Sequence, residues 1–199
     1  MALAATSSVP LALGICATSF QISARGNSDS SLGSSSLVFV YGTLKKGFGN
    51  EWLMQELVSQ QHACFVSAAT TKLEFPLVCG PFQVPFLLNF PCQGHRVRGE
   101  VYLVDQAGLR RLDELEGLGK GHYERRSILV EGLERSLAQS QAVNAEAYFA
   151  GSSYAMEMLG APHLPSYSTV EAENYVPRRN RPPGITFLEH VQAWIAAKK

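Results

Sequence analysis

Leu37-Val38-Phe39-Val40-Tyr41-Gly42-Thr43-Leu44-Lys45-Lys46-Gly47 is the stretch on which the reading of this chain turns. Its first five residues are β-branched, aromatic or leucine without polar alternation, which describes a strand buried on both faces. Gly42 stops the run, and a hydroxyl residue and two lysines follow before Gly47. A strand ending this way forms either an ordinary turn or a cradle whose backbone N–H groups receive an anion or a developing oxyanion. A phosphate loop of the form G-x-x-x-x-G-K-[ST] is excluded, because Phe48 follows Gly47 where lysine is required.

Upstream, residues 1–36 are rich in Ser, Ala, Thr and Gly, with Arg25 as their one basic residue and Asp29 as their one acidic residue. Val9 to Ala17 is apolar, but no Lys or Arg precedes it, which argues against a secretory signal. Two readings stay open: a disordered tail on a cytoplasmic protein, or a plastid transit peptide. The globular domain is expected over 37–182, with an amphipathic helix over 183–199.

Downstream, Glu51 to Val58 suits a short helix, and Cys64 to Val66 a strand. Extended pieces follow over 70–78, 84–90 and 97–104, punctuated by Gly80-Pro81 and by Pro91 to Gly94. A helix fits Gln106 to Glu116, with Asp105 as N-cap and Gly117 just past its end. Ser127 to Val130 and Ala145 to Phe149 return to strand character around a polar loop. Several short strands before any long helix imply a small, curved, partly closed sheet. In the tail, Thr186 and Glu189 form a capping box, and Phe187, Val191, Trp194 and Ile195 share one apolar face. That face suits a latch on the domain, or a surface for a partner or a membrane.

The chain has 199 residues, which fits one domain with appendages. Seventeen basic residues balance seventeen acidic ones, so no bulk field is available to hold nucleic acid. Hydrophobic residues make up 46% and charged residues 17%, the balance of a packed globular protein. No apolar run approaches the roughly 20 residues of a membrane span. Cys16, Cys64, Cys79 and Cys92 form no C-x-x-C pair and read as ordinary buried thiols.

A second place of chemical interest is Asp113-Glu114-Leu115-Glu116. At about 100° per residue, Leu109, Leu112 and Leu115 share a face, and Glu116 falls on it while Glu114 falls opposite, beside Arg110 and Arg111. An inward carboxylate in the last helical turn meets both dehydration and the negative end of the helix dipole, and both raise its pKa toward that of a general base. The plainer alternative is a partly exposed glutamate at a frayed helix end. The five histidines form no H-x-x-x-H pair, so no metal site is expected; His122 is of interest because it follows the Glu116 turn. No G-x-S-x-G elbow supports a serine hydrolase.

Taken in order, Val38 to Gly47, Val97-Arg98-Gly99-Glu100-Val101-Tyr102, Leu112 to Glu116 with His122-Tyr123-Glu124-Arg125, and Tyr175-Val176-Pro177-Arg178-Arg179-Asn180 resemble the gamma-glutamylcyclotransferase superfamily, and within it the gamma-glutamylamine cyclotransferase branch with its plant relatives. The resemblance covers about 37–181. It implies an α+β fold, a small mixed β-barrel with flanking helices, in which the turn Tyr41, Gly42, Thr43 and Leu44 holds a gamma-glutamyl group together with Tyr123. Glu116 would be the base. It further implies a monomer that releases 5-oxoproline from a small gamma-glutamyl substrate without a cofactor. A non-catalytic binding module on the same fold is the competing reading, since fold does not imply function. The leader, the tail and the glycine-rich stretch Gly117 to Gly121 fall outside the family pattern.

Overall fold

In the computed structural model, residues 34–132 and 142–198 are described. The leader as such and most of the expected polar loop lie outside them. Seven strands form one sheet: β1 (Ser36–Val40), β2 (Ala63–Thr71), β3 (Leu77–Cys79), β4 (Pro85–Leu87), β5 (Arg98–Val104), β6 (Tyr123–Gly132) and β7 (Val143–Ala150). The order is β1-β5-β2-β6-β7-β4-β3, and a further parallel pairing of β1 with β7, at Val38 and Glu146, closes β1, β5, β2, β6 and β7 into a five-stranded mixed barrel. The neighbouring pairs within the barrel are otherwise antiparallel. β4 adds to β7 in parallel and carries β3 outside it.

The continuous apolar character of β1 has its cause here. Phe39 joins Ala69, Val101, Ile128, Val130, Ala145, Ala147 and Phe149 in one cluster drawn from all five barrel strands. Val38 and Val40, on the opposite face, join Tyr102, Val104, Tyr148 and Ala150 beneath the helices. Those helices are α1 (Glu51–Ser59) and α2 (Gln106–Glu116), followed by two single-turn helices, α3 (Ser152–Ala155) and α4 (Thr169–Ala172), and by α5 (Phe187–Ala196). Leu53 and Leu57 of α1, Leu109 and Leu112 of α2, and Val191 and Ile195 of α5 are buried in the second cluster. Each such side chain contributes roughly 1.5 to 3 kcal/mol when fully buried.

Helix ends follow the local chemistry. The Asp105 carboxylate accepts from the Gly108 N–H at 2.8 Å, and Gly117 ends α2 in the left-handed conformation, with φ 65°. Thr186 and Glu189 make the reciprocal capping box of α5. Phe187 and Trp194 are half-buried while Val191 and Ile195 are fully covered. No described helix is long and apolar enough to cross a membrane.

Two expectations change. The extended piece over 70–78 is two strands, because the Thr71 hydroxyl donates to Leu73 O at 2.6 Å and accepts from Val97 N–H at 2.8 Å, turning the chain before Pro76. The cysteines are not uniformly buried: Cys64 and Cys79 are partly exposed, and Cys92 is exposed on a turn with φ 65°.

Candidate active site

A cavity of about 110 Å³ opens where β1 leaves the barrel, between the turn that follows β1 and the end of α2. Its lining includes Tyr41, Gly42, Thr43, Leu44, Glu116 and Tyr123, the six residues singled out from the sequence. It also includes Asn50, Pro85, Leu115, His122, Tyr148, Tyr175, Arg178, Arg181 and Phe187.

The turn is held from outside. Glu100 accepts from the Lys46 N–H at 3.1 Å, Glu51 from the Gly47 N–H at 2.6 Å, and Lys45 N–H bonds to Gly42 O at 3.2 Å. The Lys45 ammonium is buried and donates to Tyr167 O at 2.7 Å, so this lysine ties the turn to the fold and is not presented to an anion. Asn50 stands at the N-cap position of α1 but makes no cap bond with its side chain; its amide donates to the Thr43 hydroxyl at 2.9 Å. The Thr43 and Leu44 N–H groups, by contrast, bond to no described residue. Thr43 is partly exposed and Leu44 is buried, and both line the cavity, so these two N–H groups are free to donate to an acceptor on a ligand held there. Gly42 is required by contact: a Cβ there would lie 2.5 Å from Pro85 Cγ.

Tyr41 and Tyr123 reach the cavity with their hydroxyls already committed. Tyr41 donates to Tyr148 O at 2.6 Å and accepts from Leu87 N–H at 3.3 Å, which clamps β4 against β7. Tyr123 donates to Pro85 O at 3.0 Å and stacks on Phe86. Burial pushes both phenols well above their ordinary range, so neither carries a proton to or from a substrate near neutrality.

Glu116 is the last residue of α2. Its side chain keeps some contact with solvent through the cavity, but protein surrounds the carboxyl, and that dehydration pushes its pKa up to about 8. It makes no hydrogen bond or ion pair with any described residue. Its neighbours on the helix are spent otherwise. Glu114 is exposed and pairs with Arg111 at 3.2 Å. Asp113 accepts from the Tyr148 hydroxyl at 2.7 Å and lies 3.1 Å from Arg125 Nε, an ion-pair contact whose angle falls short of a hydrogen bond. Arg125 also pairs with Glu146. This network pins the end of α2 to β6 and β7 and thereby fixes where Glu116 stands.

His122 closes the far wall. A Cβ on Gly117 would come 2.5 Å from its Nδ1, so the glycine that ends the helix also admits the imidazole. Burial, with help from Arg178 and Lys120, lowers the His122 pKa and keeps the ring neutral. Its edge meets Phe187 of α5 at 4.9 Å between centroids. The tail therefore supplies part of the site wall through Phe187.

Sequence reasoning missed Asn50, Pro85, Tyr148, Arg181 and Phe187 as site residues. Arg178 was visible within the Tyr175 to Asn180 motif but had no role. Asn50 carried one legible signal, a capping residue at a helix start; nothing in the sequence flags Pro85 or Tyr148.

Comparison with known proteins bears on this geometry. A family profile described as "Gamma-glutamyl cyclotransferase, AIG2-like" matches residues 38–175. An Arabidopsis thaliana protein provisionally named as a gamma-glutamylcyclotransferase is 43% identical over 173 residues, covering 81% of this chain and 92% of that protein. The gamma-glutamylaminecyclotransferase of Rattus norvegicus is 37% identical, over 72% of this chain and 98% of its own. The crystal structure of an AIG2-like protein from Mus musculus superposes with a TM-score of 0.63 at 36% identity, over 74% of this chain and 99% of that one. With the profile covering most of the barrel and relatives matched over nearly their whole length, the chain belongs to the AIG2-like gamma-glutamyl cyclotransferase family and is a cyclotransferase.

Proposed function

We propose that the protein converts gamma-glutamyl amines or gamma-glutamyl amino acids into 5-oxoproline and the free amine, with Glu116 as general base and the turn Tyr41 to Leu44 as the glutamyl cradle. One observation carries this reading: an unpaired carboxyl with a pKa of about 8 lines the same small cavity as the unbonded N–H groups of Thr43 and Leu44.

The chemistry follows from the substrate. Its alpha-amine and gamma-carbonyl carbon lie at the right separation to close a five-membered lactam. The amine is protonated near neutrality, and ionised Glu116 takes that proton so that the nitrogen lone pair can attack the carbonyl carbon. The C–O π electrons move to oxygen, and the backbone donors of the turn stabilise that oxyanion. On collapse, the carbonyl re-forms and the bond to the departing nitrogen breaks. Glu116, now protonated, gives its proton to that nitrogen and then takes the second proton of the attacking nitrogen, which leaves the lactam with a single N–H; that proton passes on to the released amine, which departs as an ammonium. No oxidant or co-substrate enters the balance. Oriented intramolecular attack supplies effective molarities on the order of 10⁵ to 10⁸ M, so folding the substrate is much of the task. A carboxyl near 8 is well matched to an ammonium donor, since its basicity approaches that of the amine it serves.

The test is to incubate the purified protein with gamma-glutamyl-lysine, gamma-glutamylalanine, a gamma-glutamylalkylamine and glutathione, and to assay 5-oxoproline. Stoichiometric release of 5-oxoproline and free amine from at least one compound is expected. No release from any of them refutes the reading.

A further inference from the structure

The nature of the departing amine is where the mouth of the cavity bears on specificity. Apart from the tyrosines, the ionisable side chains of the lining are Glu116, His122, Arg178 and Arg181. Glu116 is largely protonated near neutrality and His122 is neutral, so two guanidinium groups stand there without a fixed counter-charge. They are not equivalent. Arg181 is half-buried; its Nε donates to Val176 O at 3.0 Å, and its guanidinium lies over the rings of Phe82 and Phe187, 5.2 and 5.5 Å from their centroids. It serves as wall. Arg178 is exposed, follows Pro177 in a short helical turn that the Arg181 N–H closes on its carbonyl, and its side chain makes no hydrogen bond or ion pair with any described residue.

The reaction orients the substrate. The glutamyl unit must bring its amine to Glu116, whose carboxyl is enclosed by protein, and the leaving group must then point toward solvent, where Arg178 stands. A free guanidinium presents a planar fork of donors that matches a carboxylate and repels an ammonium.

We propose that Arg178 is a specificity-determining residue that binds a carboxylate carried by the departing amine, so that the preferred substrates are gamma-glutamyl conjugates of amino acids and not of simple alkylamines. The inference rests on the proposed function and narrows its substrate class. It contains a rejecting element as well as an attracting one, because conjugates of diamines would place a positive charge near Arg178 and Arg181.

Two substrate pairs isolate the carboxylate: gamma-glutamylalanine against gamma-glutamylethylamine, and gamma-glutamyl-6-aminohexanoate against gamma-glutamylpentylamine. Within each pair the members differ only by that group. For the full chain, kcat/KM should favour the carboxylate-bearing member of at least one pair by about tenfold or more, as one charge-assisted contact provides. In Arg178→Gln that ratio should collapse toward one, and Arg178→Lys should restore part of it. A wild-type ratio near one in both pairs, or an unchanged ratio in Arg178→Gln, overturns the inference while leaving the proposed function standing. If no compound is turned over, the proposed function fails separately, and calorimetry with the same pairs still decides: the carboxylate-bearing member binding no tighter to the wild type than to Arg178→Gln overturns the assignment of Arg178.

Discussion

Replacing Glu116 by glutamine keeps the shape of the side chain and removes its proton chemistry, and the consequence for stability depends on pH in a calculable way. A carboxyl raised from 4.5 to about 8 on folding holds its proton in the native state while the unfolded chain has already released it. The native state therefore binds more protons across that window, and stability falls as pH rises through it. At 1.36 kcal/mol per pKa unit the full effect approaches about 5 kcal/mol, an upper figure because solvent reaches the cavity and hydrates the ionised form. Glutamine pays no such penalty. Glu116→Gln should thus be close to the wild type in stability near about pH 4.5 and more stable by a few kcal/mol near about pH 8. Urea unfolding of both proteins at several pH values measures the difference. A gap that does not widen between these limits would refute the enclosure of the carboxyl, and with it the cause assigned to its basicity. Turnover moves the other way: Glu116→Gln should lose a factor on the order of 10² to 10⁴, and the wild-type rate should climb with pH toward about 8 as the base ionises.

Gly42→Ala should destabilise the fold by about 1 to 3 kcal/mol, as overpacking does, because the new methyl group meets Pro85 at 2.5 Å; an unchanged thermal midpoint would show that β4 yields without cost. Ile195→Ala, at a position 5% exposed, should lower stability by about 2 kcal/mol or more and also raise KM, since α5 carries Phe187 into the cavity wall. A loss of stability with unaltered KM would separate the tail from the site.

The parts legible in the sequence are those that local chemistry dictates. β1 is readable because both its faces are buried, and α2 because Asp105 and Gly117 mark its ends. The phase of that helix, counted from Leu109 and Leu112, separates Glu116 from Glu114 before any contact is known. What could not be read are arrangements in which sequence neighbours do not meet. Tyr148 joins Asp113 across 35 residues, and Asn50 reaches Tyr175 across 125. Lys45 and the break after Thr71 belong to the same class, since each depends on a partner supplied by a distant loop or strand.

The cavity wall unites Tyr41, from the first strand, with Phe187, from the last helix. During synthesis the turn and the glutamate emerge early, yet a chain released before residue 187 lacks the aromatic wall that meets His122. Such a shortened product would leave Glu116 beside an open cleft. Loss of the segment that carries Phe187 would thus erode catalysis before it dismantled the barrel, whose five strands all lie upstream of it.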